Sequence, residues 1–304
     1  MIITVTGTSG LIGTRLKQRL SQRGHILKIL SYGSVNNQSD KKDFVWDPEN
    51  QKINLEALQG VDAVIHLAGS SIAQRWTQKT KASILRSRSM GSQLLMDALE
   101  NINPEARVVS ASGIGYYPDP CEEILDESHS PGQGFLAQVC QEWEAPFQNR
   151  LKSGLHACIL RTGLVLSNQG GVLPLVQSTA AWGLIPITGS PENKWSWIHI
   201  EDLVSLYIAA VEGNLAPGIY NAVAPNPCSQ GQVAEELLSL KGKAPWKWKP
   251  CIPAFALKAL LGEQSSLALT HQTVSSLRLQ LANFPFEFPY IKQALTHLHT
   301  HHEI

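Results

Sequence analysis

A run of β-forming residues, Ile2-Ile3-Thr4-Val5-Thr6, leads directly into Gly7-Thr8-Ser9-Gly10-Leu11-Ile12-Gly13. Leu11, Ile12, Leu16 and Leu20 follow at helical spacing, and Gly24 stands where a helix C-terminal glycine belongs. Strand, glycine turn and amphipathic helix in that order give each glycine a separate task. Gly7 permits a tight turn, Gly10 lets a phosphate approach the backbone with no Cβ in the way, and Gly13 lets the helix pack closely on the strand. Unpaired N–H groups at the helix start, aided by the helix dipole, then face an anion.

The pattern predicts a Rossmann-type nucleotide site with a dinucleotide's pyrophosphate held by Gly7, Thr8, Ser9, Gly10, Leu11, Ile12 and Gly13. The rest of the N-terminal half continues the alternation. Strands are expected at Ile26 to Leu30, Val61 to Leu67, Val108 to Ser110 and Ala157 to Leu160. Helices are expected at Thr80 to Leu99 and Phe135 to Phe147. Such alternation predicts an α/β fold, a doubly wound parallel sheet with helices on both faces. After Arg161 the pattern loosens, with a helix expected at Ile200 to Val211, a strand at Gly218 to Asn221, and helical pieces broken by prolines beyond 229. The expected organisation is a Rossmann domain over 1–165, to which later segments return. A small α+β substrate lobe is expected mainly over 166–304, including a C-terminal domain of about 248–298.

The chain has 304 residues, 43% of them hydrophobic, enough for a sizeable core. Lys plus Arg and Asp plus Glu both number 25, so no global field draws the chain to nucleic acid or anionic lipid. The five cysteines are scattered and form no C-x-x-C pair, which argues against a disulfide framework and a metal site. Met1 runs straight into a strand and no apolar run reaches membrane-spanning length, so a cytoplasmic protein is expected.

The end of the second strand reads Leu30-Ser31-Tyr32-Gly33-Ser34. An NAD site usually places a carboxylate here for the ribose 2′-hydroxyl, and none is present. Ser31 and Ser34 are donors available to a 2′-phosphate, with Lys41 and Lys42 downstream. NADP is therefore expected as cofactor, with NAD the alternative; an ordinary polar loop over 31–42 also fits. The loop Leu67, Ala68 and Gly69, after the next strand, is expected along the cofactor.

The glycine turn and Asp62-Ala63-Val64-Ile65-His66-Leu67-Ala68-Gly69 resemble the extended short-chain dehydrogenase/reductase superfamily, which includes sugar-nucleotide epimerases and dehydratases. Several further stretches narrow the match: Arg75-Trp76-Thr77, Ser110 to Tyr117, Phe135 to Cys140 with Trp143-Glu144, Leu160-Arg161-Thr162-Gly163 and Trp195 to Asp202. With Pro253, Leu261-Gly262-Glu263 and Phe284 to Phe288, they are similar to an epimerase-family branch carrying a C-terminal domain of unknown function. The resemblance implies a Rossmann fold, an NADP-type cofactor and a C-terminal lobe shaping a substrate cleft. It names no substrate.

That superfamily's usual catalyst is a tyrosine followed four residues later by a lysine, with an upstream serine. The lysine lowers the phenol's pKa from about 10 toward working pH. Ser112 fills the serine's place, but the helix after Gly134 puts Leu136 and Cys140 in the dyad's slots, and no Tyr-x-x-x-Lys occurs in the chain. Cys140 reads as core filling. Tyr116 and Tyr117 follow Ser112 at the sheet edge where ligands bind. Tyr116 is the expected stand-in acid, suited to ketone reduction; packing beneath the substrate lobe is the alternative for both tyrosines.

Arg161 ends a buried strand, where it suits an anionic substrate or a structural ion pair. Arg75 and Trp76 lie where a loop covers the cofactor. Trp197 and His199 are candidate substrate contacts, with His199 open to a backbone-bonding role and Asp202 expected to favour its helix dipole. His66 reads as a satisfied core histidine, and the histidines from His297 onward as a frayed tail. Two functions remain open: an NADP-dependent reductase or epimerase-like enzyme for a small polar, possibly nucleotide-linked, substrate, or a non-catalytic NADP(H)-binding sensor. Either acts as a monomer or as a homodimer.

Overall fold

The computed structural model describes residues 1–33, 43–180, 185, 187–243 and 251–301. In chain order, β1 (Ile2–Thr6), α1 (Leu11–Gln22) and β2 (Ile26–Tyr32) come first. β3 (Phe44–Asp47), β4 (Lys52–Ile53), β5 (Ala63–His66), α2 (Gln78–Ile102) and β6 (Arg107–Gly113) follow. Then come β7 (Ile124–Leu125), α3 (Phe135–Lys152), β8 (Ala157–Thr162), β9 (Leu164–Leu166) and α4 (Leu173–Ala180). β10 (Ile187–Thr188), β11 (Lys194–Trp195), β12 (Trp197–His199), α5 (Ile200–Val211) and β13 (Gly218–Ala222) continue. The last part holds β14 (Cys228–Ser229), α6 (Gln230–Leu240), β15 (Cys251–Ile252) and α7 (Ala254–Leu261). It closes with β16 (Thr273–Val274), α8 (Leu277–Leu281) and α9 (Ile291–Thr300).

The chain divides into two compact units. The first comprises Met1–Tyr116, Gln133–Arg161 and Val204–Tyr220. Its frame is an eight-stranded sheet of order β13-β8-β6-β5-β1-β2-β3-β4. β1 pairs parallel with β2 on one side and β5 on the other; β5 pairs parallel with β6, and β2 with β3. β4 returns antiparallel to β3. The order reverses at β1, with Thr6 directly opposite His66, so the ends of β1 and β5 flank the crevice where such sheets bind ligands.

Physical pattern explains the packing. α1 buries Gly13, Leu16 and Leu20, spaced three and four apart, against the sheet. α2 starts at Thr77, whose side chain accepts the Thr80 N–H, and turns Ile84, Gly91, Leu95 and Leu99 inward. Ile3, Val5, Val64, Ile65, Val108 and Ile159 form the sheet's buried layer, each worth about 1.5–3 kcal/mol on full burial.

The second unit comprises Tyr117–Gly132, Thr162–Leu203 and Asn221–Ile304. Its core gathers Leu166, Trp195, Trp197, Val233, Leu237, Leu295 and Leu298. Short two-stranded pairings, β9 with β12 and β7 with β16 among them, tie its segments together. α6 begins with a capping box, Ser229 and Gln232 bonding each other's backbone.

Candidate functional site

The three glycines of the turn are required for different reasons. Gly7 has φ +72°, and an added Cβ would fall 2.7 Å from the backbone of Leu67 and Ala68. A Cβ on the buried Gly13 would fall 2.1 Å from the Gly7 carbonyl oxygen. Gly10 differs: its φ is −79°, it is exposed, and its Cβ would meet nothing closer than the Gly7 oxygen at 3.6 Å. Neither conformation nor packing in the chain requires a glycine there. Its open face leaves room for a group to approach the start of α1, where N–H groups have no side-chain cap. The cradle fits a dinucleotide's pyrophosphate.

The neighbours of the turn are fixed. The Thr6 hydroxyl accepts the Leu67 and Ala68 N–H groups at 3.2 Å and lies 2.9 Å from His66 Nδ1. Ser92 Oγ is 3.3 Å from His66 Nε2. Burial, with a smaller push from Arg88, pulls the His66 imidazole down to about 3, so it is neutral and structural. Thr14 donates to the Thr8 carbonyl, Ser9 is exposed, and Leu11 and Ile12 are half-buried at the helix start. Leu67 and Ala68 are half-buried and Gly69 exposed.

At the end of β2 the local sequence is misleading. The Ser31 hydroxyl donates to Asp43 Oδ2 at 2.9 Å. A carboxylate therefore does stand beside β2, carried there from just ahead of β3, and the Ser31 proton is directed at it. Ser34, Lys41 and Lys42 lie outside the described residues.

The region of the missing dyad holds a buried polar network. Glu144 of α3 and Arg161 of β8 form a two-pronged ion pair, Nε to Oε1 at 2.9 Å and Nη2 to Oε2 at 2.8 Å. Their side chains are 0% and 1% exposed. Ser112 Oγ donates to Glu144 Oε1 at 2.6 Å, and Gln148 Nε2 to Oε2 at 2.9 Å. The Ser112 hydroxyl is thus directed at Glu144. Arg161 is held in a structural ion pair, the second of the two roles the sequence left open for it.

Tyr116 lies flat on that network, its ring centroid 3.4 Å from the Arg161 guanidinium carbon. It is half-buried, in the single 3-10 turn that follows β6. The adjoining Gly115 faces Leu136, one of the two dyad slots. The other slot, Cys140, points its thiol at the Gly113 carbonyl, 3.5 Å away. Burial, helped by Glu144, pushes that thiol up to about 11, as befits a core cysteine.

Trp76 sits edge-on to Phe135 at 5.0 Å and donates its indole N–H to Ile72, while Arg75 is exposed. Tyr117, Trp197 and His199 belong to the second unit. Tyr117 is buried and donates to Asn221 Oδ1 at 2.7 Å. Trp197 is 0% exposed and gives its indole N–H to the Asn226 carbonyl. His199, also 0% exposed, stacks on Phe288 and accepts the Glu201 N–H at Nδ1. These three side chains pack within the second unit, which for Tyr117 is the packing role and for His199 the backbone-bonding role that the sequence also allowed. His297 is no frayed tail either: its Nδ1 lies 3.2 Å from His199 Nε2, within α9.

Sequence reasoning did not single out Asp43, Glu144 or Arg88. For the last two a signal existed, a charged residue on the inward stripe of an amphipathic helix. Asp43 had no such signal. Among the described residues no group of three or more His, Cys, Asp or Glu is placed to hold a metal. No described helix is long and apolar enough to cross a membrane.

A parallel sheet that reverses at β1, with a glycine turn at the reversal, defines the class of dinucleotide-binding α/β proteins. Residues 3–222 match the NAD dependent epimerase/dehydratase family, and the chain belongs to it. Residues 252–298 match a domain of unknown function, DUF1731. An Arabidopsis thaliana relative, the chloroplastic epimerase family protein SDR39U1 homolog, is 36% identical over 97% of this chain and 86% of its own length. An epimerase family protein of Mycobacterium bovis is 33% identical over 97% of this chain and 96% of its own. The crystal structure of human epimerase family protein SDR39U1 with NADPH superposes with a TM-score of 0.86 at 26% identity, covering 99% of both chains.

Proposed function

We propose that this protein binds NADP(H) on the Gly7–Gly13 turn and acts as a reductase or epimerase-like enzyme on a small polar, nucleotide-linked carbonyl compound, with Tyr116 as proton donor. The observation that carries the cofactor reading is Gly10, an exposed glycine with an open face at the uncapped start of α1. The NADPH in the human relative supports the phosphorylated cofactor. Asp43 beside Ser31 favours a second reading, NAD, because a carboxylate accepts a ribose 2′-hydroxyl and repels a 2′-phosphate.

A bound nicotinamide supplies or takes up hydride; the chain's own residues do the rest. The α1 N-terminus holds the phosphates and the 67–69 loop, pinned by Thr6, keeps its place beside them. Arg161 holds the Tyr116 ring from one face, and Glu144 holds Arg161. The phenol can then give a proton to a developing alkoxide from a fixed position. Leu136 and Cys140 in the dyad slots favour the alternative, a cofactor-holding sensor without turnover.

The test offers carbonyl compounds, sugar-nucleotide ketones among them, to protein loaded with NADPH and follows loss of the reduced nicotinamide's absorbance. Turnover that drops about 100-fold or more in Tyr116→Phe supports the enzyme reading. Unchanged turnover in that variant removes Tyr116 from the chemistry. Absence of oxidation with every compound, despite tight cofactor binding, leaves the sensor.

A further inference from the structure

Helix α2 places one charge on its inward stripe. Arg88 stands among Ile84, Gly91, Leu95 and Leu99 and is 8% exposed. Its Nη1 donates to the carbonyls of Ser70 at 2.9 Å and Ile84 at 3.2 Å, and its guanidinium lies 4.7 Å from the Trp143 ring centroid. Burial pulls it down to about 10, so it remains a cation at neutral pH. Among the described residues it meets no carboxylate at ion-pair distance; Glu144, the buried acid of this region, is taken by Arg161. A buried cation with carbonyls but no counter-charge is unfavourable by itself, and proteins usually pair or expose it.

Its position suggests why it is kept. A Cβ on Gly69 would fall 2.9 Å from the Arg88 guanidinium carbon, so the cation rests directly on the loop after β5. The preceding residue of that loop, Ala68, touches the turn: its backbone nitrogen is 2.7 Å from where a Gly7 Cβ would stand. The guanidinium therefore rests on Gly69, the residue next to the one whose backbone meets the turn at Gly7.

We propose that Arg88 is a built-in counter-charge for the dinucleotide's pyrophosphate, unpaired in the free protein and compensated across the β5–α2 loop when the phosphates dock. The proposal rests on the cofactor reading above. Arg88 acts through its field and through the loop it grips at Ser70, so it is a positioning residue rather than a catalytic one. It separates two quantities that an ordinary core residue moves together. Removing it relieves the free protein and penalises the complex.

The experiment compares wild type, Arg88→Met and Arg88→Lys by calorimetric titration with NADPH at low and high salt, and by thermal melting of the free proteins. The expected Met variant melts no lower than wild type, binds NADPH about tenfold more weakly and shows a shallower salt dependence. The Lys variant keeps the charge and recovers most of the affinity. A Met variant with wild-type affinity overturns the proposal. So does one that fails to fold or melts well below wild type, or a Lys variant as impaired as Met, because each assigns Arg88 to structure rather than to charge. Failure of the cofactor reading is visible separately, as wild type that binds neither NADPH nor NADH.

Discussion

The turn glycines make a prediction in which stability and binding part company. Replacing Gly10 by Ala adds a methyl whose nearest neighbour in the chain is 3.6 Å away, at a φ of −79° that alanine adopts freely. Losing a glycine N-cap costs up to about 1 kcal/mol, and the stiffer unfolded chain returns about 0.4–1 kcal/mol. The net change in folding is within about 0.5 kcal/mol, a Tm shift of at most about 2 °C. Replacing Gly13 by Ala drives a methyl to 2.1 Å from the Gly7 oxygen and 2.7 Å from Thr8 Cα, both backbone. Overpacking costs about 1–3 kcal/mol where side chains can give way. Backbone cannot, so about 3 kcal/mol is the floor, which lowers Tm by about 6–12 °C. Melting curves and NADPH titrations on both variants check this. Gly10→Ala is expected to melt like wild type and lose about 100-fold or more in affinity, since its methyl occupies the phosphate's approach. A Gly10→Ala protein that binds NADPH as wild type does would refute the reasoning, because the open face of Gly10 would then not be the phosphate's approach.

Other consequences follow from the same geometry. Glu144→Gln strands the Arg161 cation in the core and is expected to destabilise by about 3–5 kcal/mol in urea unfolding, far more than a surface pair would; a loss under about 1 kcal/mol contradicts the buried pairing. Asp43→Asn removes the carboxylate beside Ser31 and is expected to raise the ratio of NADPH to NADH affinity; an unchanged ratio takes Asp43 away from the ribose. Asp202, buried and accepting the Glu287 and Phe288 N–H groups, is pushed up to about 6, chiefly by burial. Its folded pKa lies above the unfolded one, so its contribution is most favourable below about pH 4 and is lost as pH rises through 6, a swing of up to about 3 kcal/mol. Melting in Asp202→Asn should lack that component; an identical pH profile in both proteins removes Asp202 as its source.

What was legible in the sequence was local. β1, the glycine turn and α1 are contiguous, and their periodicity and glycine spacing state their geometry outright. α3 was expected to end at Phe147, just past Pro146, yet it runs to Lys152. The proline removes one backbone donor, but Val139, Trp143, Phe147 and Arg150 keep a common buried face across it. β3 was missed because four residues, Phe44–Asp47, are too few to show a period, and with it went Asp43. Glu144 and Arg161 are 17 residues apart on a helix and a strand, so only the fold brings them together. Trp197 and His199 read as cleft residues because a Trp and a His among polar neighbours suit a ligand equally well. Packing decides between the two, and here it encloses both.

The central claim is that the crevice between β1 and β5 holds a nicotinamide dinucleotide, and calorimetric titration of the purified protein with NADPH and with NADH tests it most directly. The account predicts saturable one-to-one binding of a nicotinamide cofactor, tighter for NADPH, and about 100-fold or more weaker in Gly10→Ala with folding intact. No heat with either cofactor, from a protein that melts cooperatively, would contradict it.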